Sequence, residues 1–598
     1  MSAKPTAAPN KRTPAKSHDT TKGLPALRRT RIAAAALVFV IALAAFIDYR
    51  DFFPNHLKHI ITSVQFVPSA LTFAGAFHAT SLACLVILGI TLAIGRAYCS
   101  MLCPLGILQD IISRISAKIR RAAPYKLPHK KPQNILRYSI LGAVILALVA
   151  GWGGLLLTWL DPYSNFGRIA STLLRPLAVV VNNIGATIAT ALNHPAAIPQ
   201  VKVTFAAAGV LLPPLLILTA LVIMAAFRGR LWCNTLCPVG AALGLVSRRA
   251  LWRISLDKTT CRKCGACLRT CKSQCIDLRA GEVDFSRCVA CYDCVSVCDE
   301  HSIKYRWHGL RARRESHDTQ TSNPKSQIPN PKLQTPNPKS QIPATIARPP
   351  SSNRRAFITT AATGTLAAIG TTAYLATRRI AQNETPAPGK GRGNGHDGGN
   401  TQGSRHDFPL LDHPAVVTPP GAASTAHMLA QCTACQLCVS ACPSRVIEPA
   451  VLQYGSLTGL MKPRLDFNKS FCNINCTVCT DVCPDGALTP LALEAKQTTR
   501  LGLAHVAHPR CIIVQDGTAC GACAELCPTA ALQMKKVPHH PDPLPVVDPR
   551  YCIGCGACQY ACPTHPKAIV VGGVATHEKA EVLVQEQVES TTTEDFAF

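Results

Sequence analysis

Four long apolar stretches dominate the first part of the chain and are separated by polar, basic segments. They cover residues 32–47, 69–94, 136–160 and 203–227. Each approaches the roughly 20 residues that an α-helix needs to cross about 30 Å of hydrocarbon. We therefore predict a helical membrane bundle with four crossings over residues 32–253, preceded by a basic disordered arm over residues 1–31.

A further apolar segment lies between the third and fourth stretches. Residues 176–192 read PLAVVVNNIGATIATAL, with two asparagines and a glycine in the middle. A crossing here would move the following loop to the opposite face of the membrane. We interpret it as an interfacial or periplasmic helix.

The distribution of Lys and Arg sets the orientation. These residues crowd the loop between the second and third stretches and the segment after the fourth. Loops that carry such an excess stay in the cytoplasm. The pattern therefore predicts a cytoplasmic amino terminus and a multi-pass protein of the bacterial inner membrane.

The same motif follows the second and the fourth apolar stretch. Residues 95–106 read GRAYCSMLCPLG, and residues 229–240 read GRLWCNTLCPVG; we call these the elbow motifs. Each pair of cysteines is spaced i, i+4, which predicts one helical face, and the following proline can begin a new helix. The cysteines are Cys99, Cys103, Cys233 and Cys237.

Three interpretations of the elbow motifs stay open. If the two hairpins pack about a pseudo-twofold axis, the four thiols meet beside the cysteine-rich module that follows. They could then hold a metal cluster, cycle between dithiol and disulfide, or only pack.

Beyond the membrane bundle, the composition divides the chain into modules and linkers. We predict a cysteine-rich module at 254–308, a Pro-rich linker at 309–352, a signal or anchor helix at 353–380, a linker at 381–427, a larger cysteine-rich module at 428–575 and an acidic tail at 576–598. Arg354 and Arg355 precede a weakly hydrophobic run, which resembles a twin-arginine export signal. That signal predicts a second module outside the cytoplasm and an additional transmembrane anchor.

Composition narrows the class further. The chain of 598 residues has 30 cysteines and a formal charge of +29. Because the basic residues cluster in linkers and beside apolar stretches, we assign them to membrane topology and predict membrane lipid, with no nucleic acid, as partner. The number of cysteines indicates either disulfides or metal ligands, and their spacing decides.

The spacing in the first module is that of a bacterial two-cluster ferredoxin, an α+β fold. Three thiolates of one group and the last thiolate of the other share each [4Fe–4S] cluster. One predicted set is Cys261, Cys264, Cys267 and Cys298. The other is Cys288, Cys291, Cys294 and Cys271. Lys272 and Asp299 stand where a proline usually follows the fourth cysteine of each group.

The second module contains four comparable groups, each ending in x3-Cys-Pro. They are Cys432, Cys435, Cys438 and Cys442; Cys472, Cys476, Cys479 and Cys483; Cys511, Cys520, Cys523 and Cys527; and Cys552, Cys555, Cys558 and Cys562. Disulfides do not require a repeated three-thiolate loop, so we predict four clusters here and six in the chain, with a seventh if the elbow motifs bind one. The spacing leaves open which group supplies each fourth ligand.

Three other side chains need an interpretation. Cys84 is predicted to be a small buried hydrophobe, and Cys275 to be structural. His78, inside the second apolar stretch, is a candidate acceptor of a quinol proton because polar residues in membrane helices are often functional. The alternative for His78 is packing.

The motif set resembles the NapH and NapG ferredoxin-type subunits of periplasmic nitrate reductase systems, fused in one chain. Two elbow motifs and a two-cluster ferredoxin are similar to NapH, and a twin-arginine signal before four clusters is similar to NapG. The methylamine-utilisation proteins MauN and MauM share these motifs, and the assembly protein CcoG resembles the first half.

The resemblance implies a quinol dehydrogenase component that draws on the membrane quinone pool and supplies a periplasmic reductase or carrier. The sequence has no c-type haem motif, Walker loop or dinucleotide fingerprint, so we do not expect a terminal reductase. The alternative is a redox assembly or maturation factor for a periplasmic or membrane metalloenzyme.

Overall fold

The computed structural model describes residues 24–75, 82–119, 133–150, 153–194, 198–201, 203, 207–308, 414–538 and 540–582. His78 and the twin-arginine segment at 353–380 lie outside the described residues. So do the linker at 309–352 and most of the linker at 381–427.

The first part of the chain is helical. Its elements are α1 (Leu24–Ile47), α2 (Asn55–Ser63), α3 (Phe66–Gly75), α4 (Ala83–Ile94), α5 (Tyr98–Met101), α6 (Pro104–Ile119), α7 (Asn134–Val149), α8 (Gly153–Leu160), α9 (Pro162–Arg168), a π-helix (Ile169–Leu174), α10 (Arg175–Ala191), α11 (Ala208–Arg228), α12 (Leu231–Thr235) and α13 (Pro238–Ser247). Within the described residues, three helical segments are long and apolar enough to cross a membrane: Ala26–Ile47, Pro162–Ala191 and Ala208–Arg228. The second and third predicted stretches correspond to shorter helices, so the count of four crossings stays a prediction.

The amino-terminal arm is shorter than predicted. Helix α1 begins at Leu24 and includes basic residues that the sequence assigned to a disordered arm. Arg31 is buried, and Arg28 Nε donates to Asp293 Oδ1 of the first module at 2.9 Å. These contacts explain why the helix extends beyond its apolar part.

The predicted separate helix over 176–192 is wrong in its bounds. These residues are the second half of one helical segment, Pro162–Ala191, that continues through the π-helix. Its first half lies along the second cysteine-rich module, where Ser164 Oγ donates to Thr433 Oγ1 at 2.8 Å and Ser171 Oγ donates to Gln436 Oε1 at 2.7 Å. The whole segment is long and apolar enough to cross a membrane, so the interfacial or periplasmic placement of residues 176–192 stays a prediction.

The first module is built from short elements around its cysteines. They are β1 (Trp252–Leu256), α14 (Ala266–Thr270), β2 (Ile276–Asp277), β3 (Glu282–Val283), α15 (Asp293–Ser296) and β4 (Ile303–Trp307). Strand β1 pairs antiparallel with β4, and β2 with β3. The two short helices pack against each other, so the module has the α+β ferredoxin pattern.

The second module repeats this pattern twice. Its elements are α16 (Thr425–Gln431), α17 (Leu437–Ala441), β5 (Ile447–Pro449), β6 (Pro463–Leu465), α18 (Val478–Asp481), α19 (Leu493–Thr498), β7 (Thr499–Val506), α20 (Ile512–Asp516), α21 (Ala522–Glu525), β8 (Leu532–Lys535), β9 (Leu544–Val547), α22 (Ala557–Ala561) and β10 (Ile569–Lys579), with 3₁₀ turns at Leu457–Gly459 and His508–Arg510. The antiparallel pairs are β5–β6, β7–β10 and β8–β9. Residues 452–459 form part of a separate unit.

This module is wider than its predicted limits of 428–575. Strand β10 continues to Lys579, into the predicted acidic tail, and Ser424 bridges to Thr576. Helix α16 begins at Thr425, inside the predicted linker, and Ser424 caps it by accepting from the His427 N–H. The ordered ends therefore pair with each other and close the module.

The two halves of the membrane bundle exchange their partners. Helix α6, which follows the first elbow motif, packs on α11 of the second half, and α13, which follows the second, packs on α4 of the first half. Each elbow is therefore enclosed by elements of both halves. The pseudo-twofold packing expected from the repeated motif is present in these contacts.

Candidate functional site

The first module brings together the two predicted sets of cysteines. Cys261, Cys264, Cys267 and Cys298 line one cavity. Cys271, Cys288, Cys291 and Cys294 line another. Each cavity is thus lined by three cysteines of one group and the last cysteine of the other, as the spacing predicted.

Cys275 lies in the second of these cavities. Its Sγ is 3.6 Å from Cys271 Sγ, and it also interacts with Cys288. The sequence predicts a structural role for Cys275, because it stands where ferredoxins usually have a small residue, and that role stays a prediction. The structure adds a fifth thiol to this cavity.

The second module pairs its groups in chain order. Cys527 of the third group lines a cavity with Cys552, Cys555 and Cys558 of the fourth. Cys562 of the fourth group shares a buried apolar cluster with Cys511, against which Cys520 packs. The third and fourth groups therefore exchange their last cysteines.

The first and second groups of this module lie together in the same way. Cys483 interacts electrostatically with Cys432 and Cys438, and Cys442 interacts with Cys472. Helices α17 and α18, which carry these groups, pack together. The last cysteine of each group thus lies near the other group of its pair, which is the arrangement that a crossed fourth ligand requires.

Hydroxyl groups two residues beyond the last cysteine contact three of these thiols. The Sγ–Oγ distances are 3.5 Å for Cys442 and Ser444, 3.8 Å for Cys527 and Thr529, and 3.2 Å for Cys562 and Thr564. Sequence reasoning missed them. The repeated Cys-Pro-Ser/Thr pattern was the available signal.

The chemistry of these sites suits iron–sulfur clusters. Within the described residues, no three His, Cys, Asp or Glu side chains converge closely enough to hold a single metal ion, whereas a cube of four irons and four sulfides needs its thiolates spread around a larger core. Burial raises the pKa of Cys555 to about 12. Such a thiol is protonated at neutral pH unless a bound cation stabilises the thiolate, as cluster iron would.

The elbow motifs are buried turns between pairs of helices. Gly95 and Gly229 end α4 and α11 at φ of +88° and +64°, a conformation that glycine adopts without strain. Pro104 and Pro238 begin α6 and α13. Both glycines and both prolines therefore have the turn-forming roles that the motif implied.

The elbow cysteines do not share one helical face as the i, i+4 spacing predicted. Cys99 and Cys233 lie in α5 and α12, whereas Cys103 and Cys237 lie at the breaks before the prolines. Cys237 is extended, with φ of −73° and ψ of 117°, because the residue before a proline disfavours the helical region. The four thiols are nevertheless all buried and close enough to interact electrostatically.

Each elbow is held by the arginine of the other. Arg96 Nη2 donates to the Cys233 carbonyl at 3.3 Å, and Arg230 Nη1 donates to the Cys99 carbonyl. The second glycine of each motif lies against the same carbonyl, so that an added Cβ would be 2.5 Å from Cys99 O at Gly106. These crossed contacts hold the backbones of Cys99 and Cys233 in place.

Polar hydrogens also point at the sulfur atoms. Gln109 Nε2 is 3.2 Å from Cys233 Sγ, and Arg96 Nη2 is 3.7 Å from Cys99 Sγ. The Gly240 N–H is 3.4 Å from Cys237 Sγ. These donors stabilise thiolate more than thiol.

A buried chain of ion pairs joins the elbows to the first module. Arg230 binds Asp110 through two bonds of 2.8 Å, and Lys272 Nζ lies 2.9 Å from Asp110 and 3.1 Å from Asp293. Burial alone would raise the pKa of Asp110, but Arg230 and Lys272 hold it well below its usual range. Lys272, which replaces the usual proline after Cys271, therefore joins the first module to α6.

The charges around the elbow thiols favour an anionic group. Arg96 and Arg230 flank them, and Asp110 is shared by Arg230 and Lys272, so these four groups carry net positive charge. Such surroundings stabilise thiolates bound to a metal cluster more than they stabilise neutral thiols or a disulfide.

A continuous apolar core connects the three groups of cysteines. It contains Cys291 of the first module, Cys99, Cys103 and Cys237 of the elbows, and Cys435 of the second module. The elbow thiols thus lie in the same buried cluster as one predicted ligand from each module.

Two family models match the chain. A 4Fe-4S binding domain matches residues 76–122 and 210–255, which contain the elbow motifs. A 4Fe-4S dicluster domain matches residues 431–487 and 518–565 of the second module. No solved structure matches the chain.

Curated relatives cover both halves. The methylamine utilization ferredoxin-type protein MauM of Methylophilus methylotrophus is 31% identical over 166 residues, which are 26% of this chain and 70% of the relative. The ferredoxin-type protein NapH of Haemophilus influenzae is 27% identical over 255 residues, 41% of this chain and 71% of the relative. NapF of Escherichia coli is 24% identical over 147 residues, 25% of this chain and 80% of the relative.

Proposed function

The chain belongs to the family of NapH- and MauM-type ferredoxin proteins, and from this premise we propose that it oxidises membrane quinol and delivers the electrons to a periplasmic acceptor. An iron–sulfur electron-transfer role follows from the family and the matched domains. The quinol substrate, and a periplasmic reductase of the nitrate type as acceptor, are the finer parts of the proposal.

The observation that carries the proposal is the buried core that contains Cys291, three of the four elbow cysteines (Cys99, Cys103 and Cys237) and Cys435. Bound [4Fe–4S] clusters would supply one-electron acceptor and donor chemistry along this line. The chain contributes the thiolate ligands, the arginines beside the elbow thiols and an apolar core that excludes water. We assign six clusters to the two modules and a seventh to the elbows.

We further propose that the first module is cytoplasmic and the second periplasmic. Helix α1 supports this arrangement. Its amino-terminal Arg28 pairs with Asp293 of the first module, and just beyond its other end the carbonyl of Tyr49 accepts from Arg445 of the second module. Its 24 residues span about 36 Å, which is enough to cross the hydrocarbon layer.

Anaerobic reduction of the purified full-length chain by decylubiquinol or a menaquinol analogue tests the substrate. We expect the visible absorbance to bleach and reduced-cluster signals to appear in electron paramagnetic resonance. Iron analysis should give about 28 atoms per chain, and a value of about 24 would contradict the seventh cluster at the elbows. An iron content near that of two clusters would contradict the proposal for the second module.

Reporter fusions after Arg253 and after Asp407 test the topology. We expect a cytoplasmic reporter to be active at the first position and a periplasmic reporter at the second. Activity of one reporter at both positions would contradict either the internal export signal or the helix count.

A maturation role is the second candidate, and the similarity to MauM, a methylamine utilization ferredoxin-type protein, favours it. A maturation factor would reduce thiols or metal centres of a partner enzyme. Clusters that quinol cannot reduce, in a chain with full iron content, would favour this function.

A further inference from the structure

A cavity of about 290 Å³ lies where the second elbow meets the first module. It is lined by the start of α7, the end of α11, helix α12 and two loops of the first module. Its volume is close to the lower end of the range for small-molecule sites. The membrane bundle and the module therefore enclose this cavity together.

The charged side chains of the lining are all basic. They are Arg228, Arg230 and Arg287, and none of the described lining residues is acidic. Arg230 pairs with Asp110, and Arg287 pairs with Asp284. Because these two arginines are matched by carboxylates, the charge of the cavity depends on Arg228.

Arg228 lacks such a match. Its partly exposed side chain has no hydrogen bond or ion pair with any residue that the structure describes. Asp110 does not compensate it, because that carboxylate is already shared by Arg230 and Lys272. A guanidinium stays charged at physiological pH, so the cavity wall has a surplus positive charge and favours an anionic ligand.

The remaining polar side chains narrow the set of donors. Asn234 and Thr235 donate to backbone carbonyls of the protein at 3.4 and 2.7 Å. Gln133 is exposed, and its side chain has no hydrogen bond to a described residue. Arg228 and Gln133 are therefore the groups of this wall that can donate to a ligand, and charge-assisted bonds from arginine suit phosphate oxygens.

The position of the cavity indicates lipid as the source of the phosphate. Helix α11 is long and apolar enough to cross a membrane and ends at Arg228. Leu136 of the lining is exposed, as are Ile223 and Phe227 near the end of α11. A headgroup at Arg228 thus leaves its acyl chains beside apolar side chains, and basic pockets between transmembrane helices bind such headgroups.

The elbow motif does not require this arginine. The repeat aligns Gly229 with Gly95, so that Arg228 corresponds to Ile94 in the first half. Membrane orientation accounts for basic loops in general, but it does not account for a surplus arginine on a cavity wall at only one of two equivalent helix ends.

We propose that this cavity binds the phosphate of an anionic phospholipid, phosphatidylglycerol or cardiolipin, with Arg228 as the charged donor and Gln133 as the second donor. Residues Ser273, Gln274 and Arg287 of the first module form another part of its wall, so that a bound headgroup contacts both the bundle and the module. The proposal rests on the membrane crossing of α11 and not on the quinol substrate.

The test titrates the delipidated full-length chain, in neutral detergent, with phosphatidylglycerol that carries a dansyl group on one acyl chain. Energy transfer from tryptophan reports binding, which should be saturable for the wild type. Arg228→Gln should weaken it about tenfold or more, because a hydrogen bond to a charged group is lost. Arg228→Lys keeps the charge and should weaken it no more than about threefold.

Arg249→Gln is the matched control. Arg249 is exposed and does not line the cavity, and its replacement changes the net charge by the same amount, so this variant should bind like the wild type. Gln133→Glu tests the same wall without altering Arg228. Because Gln133 is exposed, the fold should tolerate the added carboxylate, which should weaken binding at least threefold by repulsion.

Iron content should be the same in all variants, which shows that they are folded and loaded. Wild-type affinity in Arg228→Gln or in Gln133→Glu would overturn the proposal. Equal displacement of the probe by phosphatidylcholine would overturn it too, because the site would then not select an anion. Displacement by glycerol 3-phosphate or inorganic phosphate at the concentrations at which the lipid acts would identify a site for soluble phosphates and would also overturn it.

Quinol reduction separates this proposal from the proposed function. If quinol fails to reduce the wild-type chain but the lipid binds as expected, the function is contradicted and the lipid site stands. If quinol reduces the chain and Arg228→Gln leaves lipid affinity unchanged, the lipid site is wrong and the function stands.

Discussion

The two elbow motifs have the same backbone plan but different surroundings. In both, glycine ends a helix, an arginine crosses to the first cysteine carbonyl of the other elbow, and proline begins the next helix. They differ one turn further on, where the first repeat has Gln109 and Asp110 and the second has Leu243 and Gly244. The shared features surround the thiols. Of the differing residues, Gln109 contacts the Cys233 thiol, whereas Asp110 and Gly244 contact the first module.

Asp110 and the equivalent Gly244 contact the first module in different ways. Asp110 uses its carboxylate to bind Arg230 and Lys272, whereas Gly244 leaves room for Arg137 and the Ser286 carbonyl. Both positions serve attachment of the module, one by charge and one by close approach. The elbow thiols therefore have pseudosymmetric surroundings, whereas the contacts that attach the first module differ between the two halves.

The largest expected effect comes from breaking the shared part. We expect Cys99→Ser and Cys233→Ser each to stop quinol-dependent reduction of the second module, because a serine oxygen is a poor substitute for thiolate as ligand or redox group. Absorbance changes after mixing with quinol measure this. Iron content should fall by about four atoms if the elbows hold a cluster.

Cys84→Ser is the control for these variants, because Cys84 is buried in the bundle outside both motifs. It should keep quinol-dependent reduction. Normal electron transfer in the variant with all four elbow cysteines replaced by serine would return the motifs to a packing role.

The equivalence of Cys99 and Cys233 could be predicted from the sequence, because the motif that contains them repeats. The helix breaks could also be predicted, because they follow from the Gly and Pro of each motif. The local spacing also predicted which cysteines of the first module meet. The crossing arginines could not be predicted, because Arg96 and Arg230 contact residues more than a hundred positions away. Contacts of that kind depend on how the halves pack, which periodicity does not encode.

The next effect contrasts the two arginines. Arg230→Met should lower the free energy of unfolding by about 3–5 kcal/mol. It removes one partner of a buried ion pair and leaves the negative charge of the Asp110 carboxylate only partly compensated. Arg96→Met should cost about 1–3 kcal/mol, because Arg96 binds the neutral acceptors of Asn234, Ser286 and Cys233. Chemical denaturation of the detergent-solubilised chain measures both.

Arg249→Met serves as the control for charge alone, since Arg249 is exposed and its replacement should change stability by less than about 0.5 kcal/mol. Equal losses for Arg96→Met and Arg230→Met would contradict the asymmetry between the elbows.

A smaller effect is expected at the glycine that breaks the symmetry. The Cβ of Gly244→Ala would lie 2.7 Å from the Ser286 carbonyl and even closer to Arg137 Nη2. The arginine can move, but the carbonyl belongs to the first module's backbone, so we expect a loss of about 1–3 kcal/mol. Gly142→Ala in α7, where nothing lies within 4 Å of the added Cβ, should be neutral or stabilising; comparable losses at both positions would contradict the assignment of the Gly244 effect to contact with the first module.

The positions that attach the modules were the least predictable from sequence. Lys272 was visible only as a departure from the usual proline, and its bond to Asp110 joins residues 162 positions apart. The sequence likewise gave no sign that residues 414–427 belong to the second module, since their order depends on pairing with strand β10. The local sequence pattern predicts which cysteines form a ligand group, but it does not predict the long-range contacts that join one group to another.

The smallest effect tests one of the differences within the motifs, Ser100 against Asn234. Asn234 Oδ1 accepts from Arg96 Nη1 at 3.0 Å, whereas the Ser100 hydroxyl donates to the Ala97 carbonyl in its own turn. Asn234→Ser makes the second elbow like the first and removes one bond to an arginine that keeps two backbone acceptors. We expect a loss of about 1 kcal/mol, measured by the same denaturation. Ser100→Ala should cost less, because its bond is local to the helix; a larger loss there would mean that the first elbow, rather than the second, depends on this position for its link to the other half.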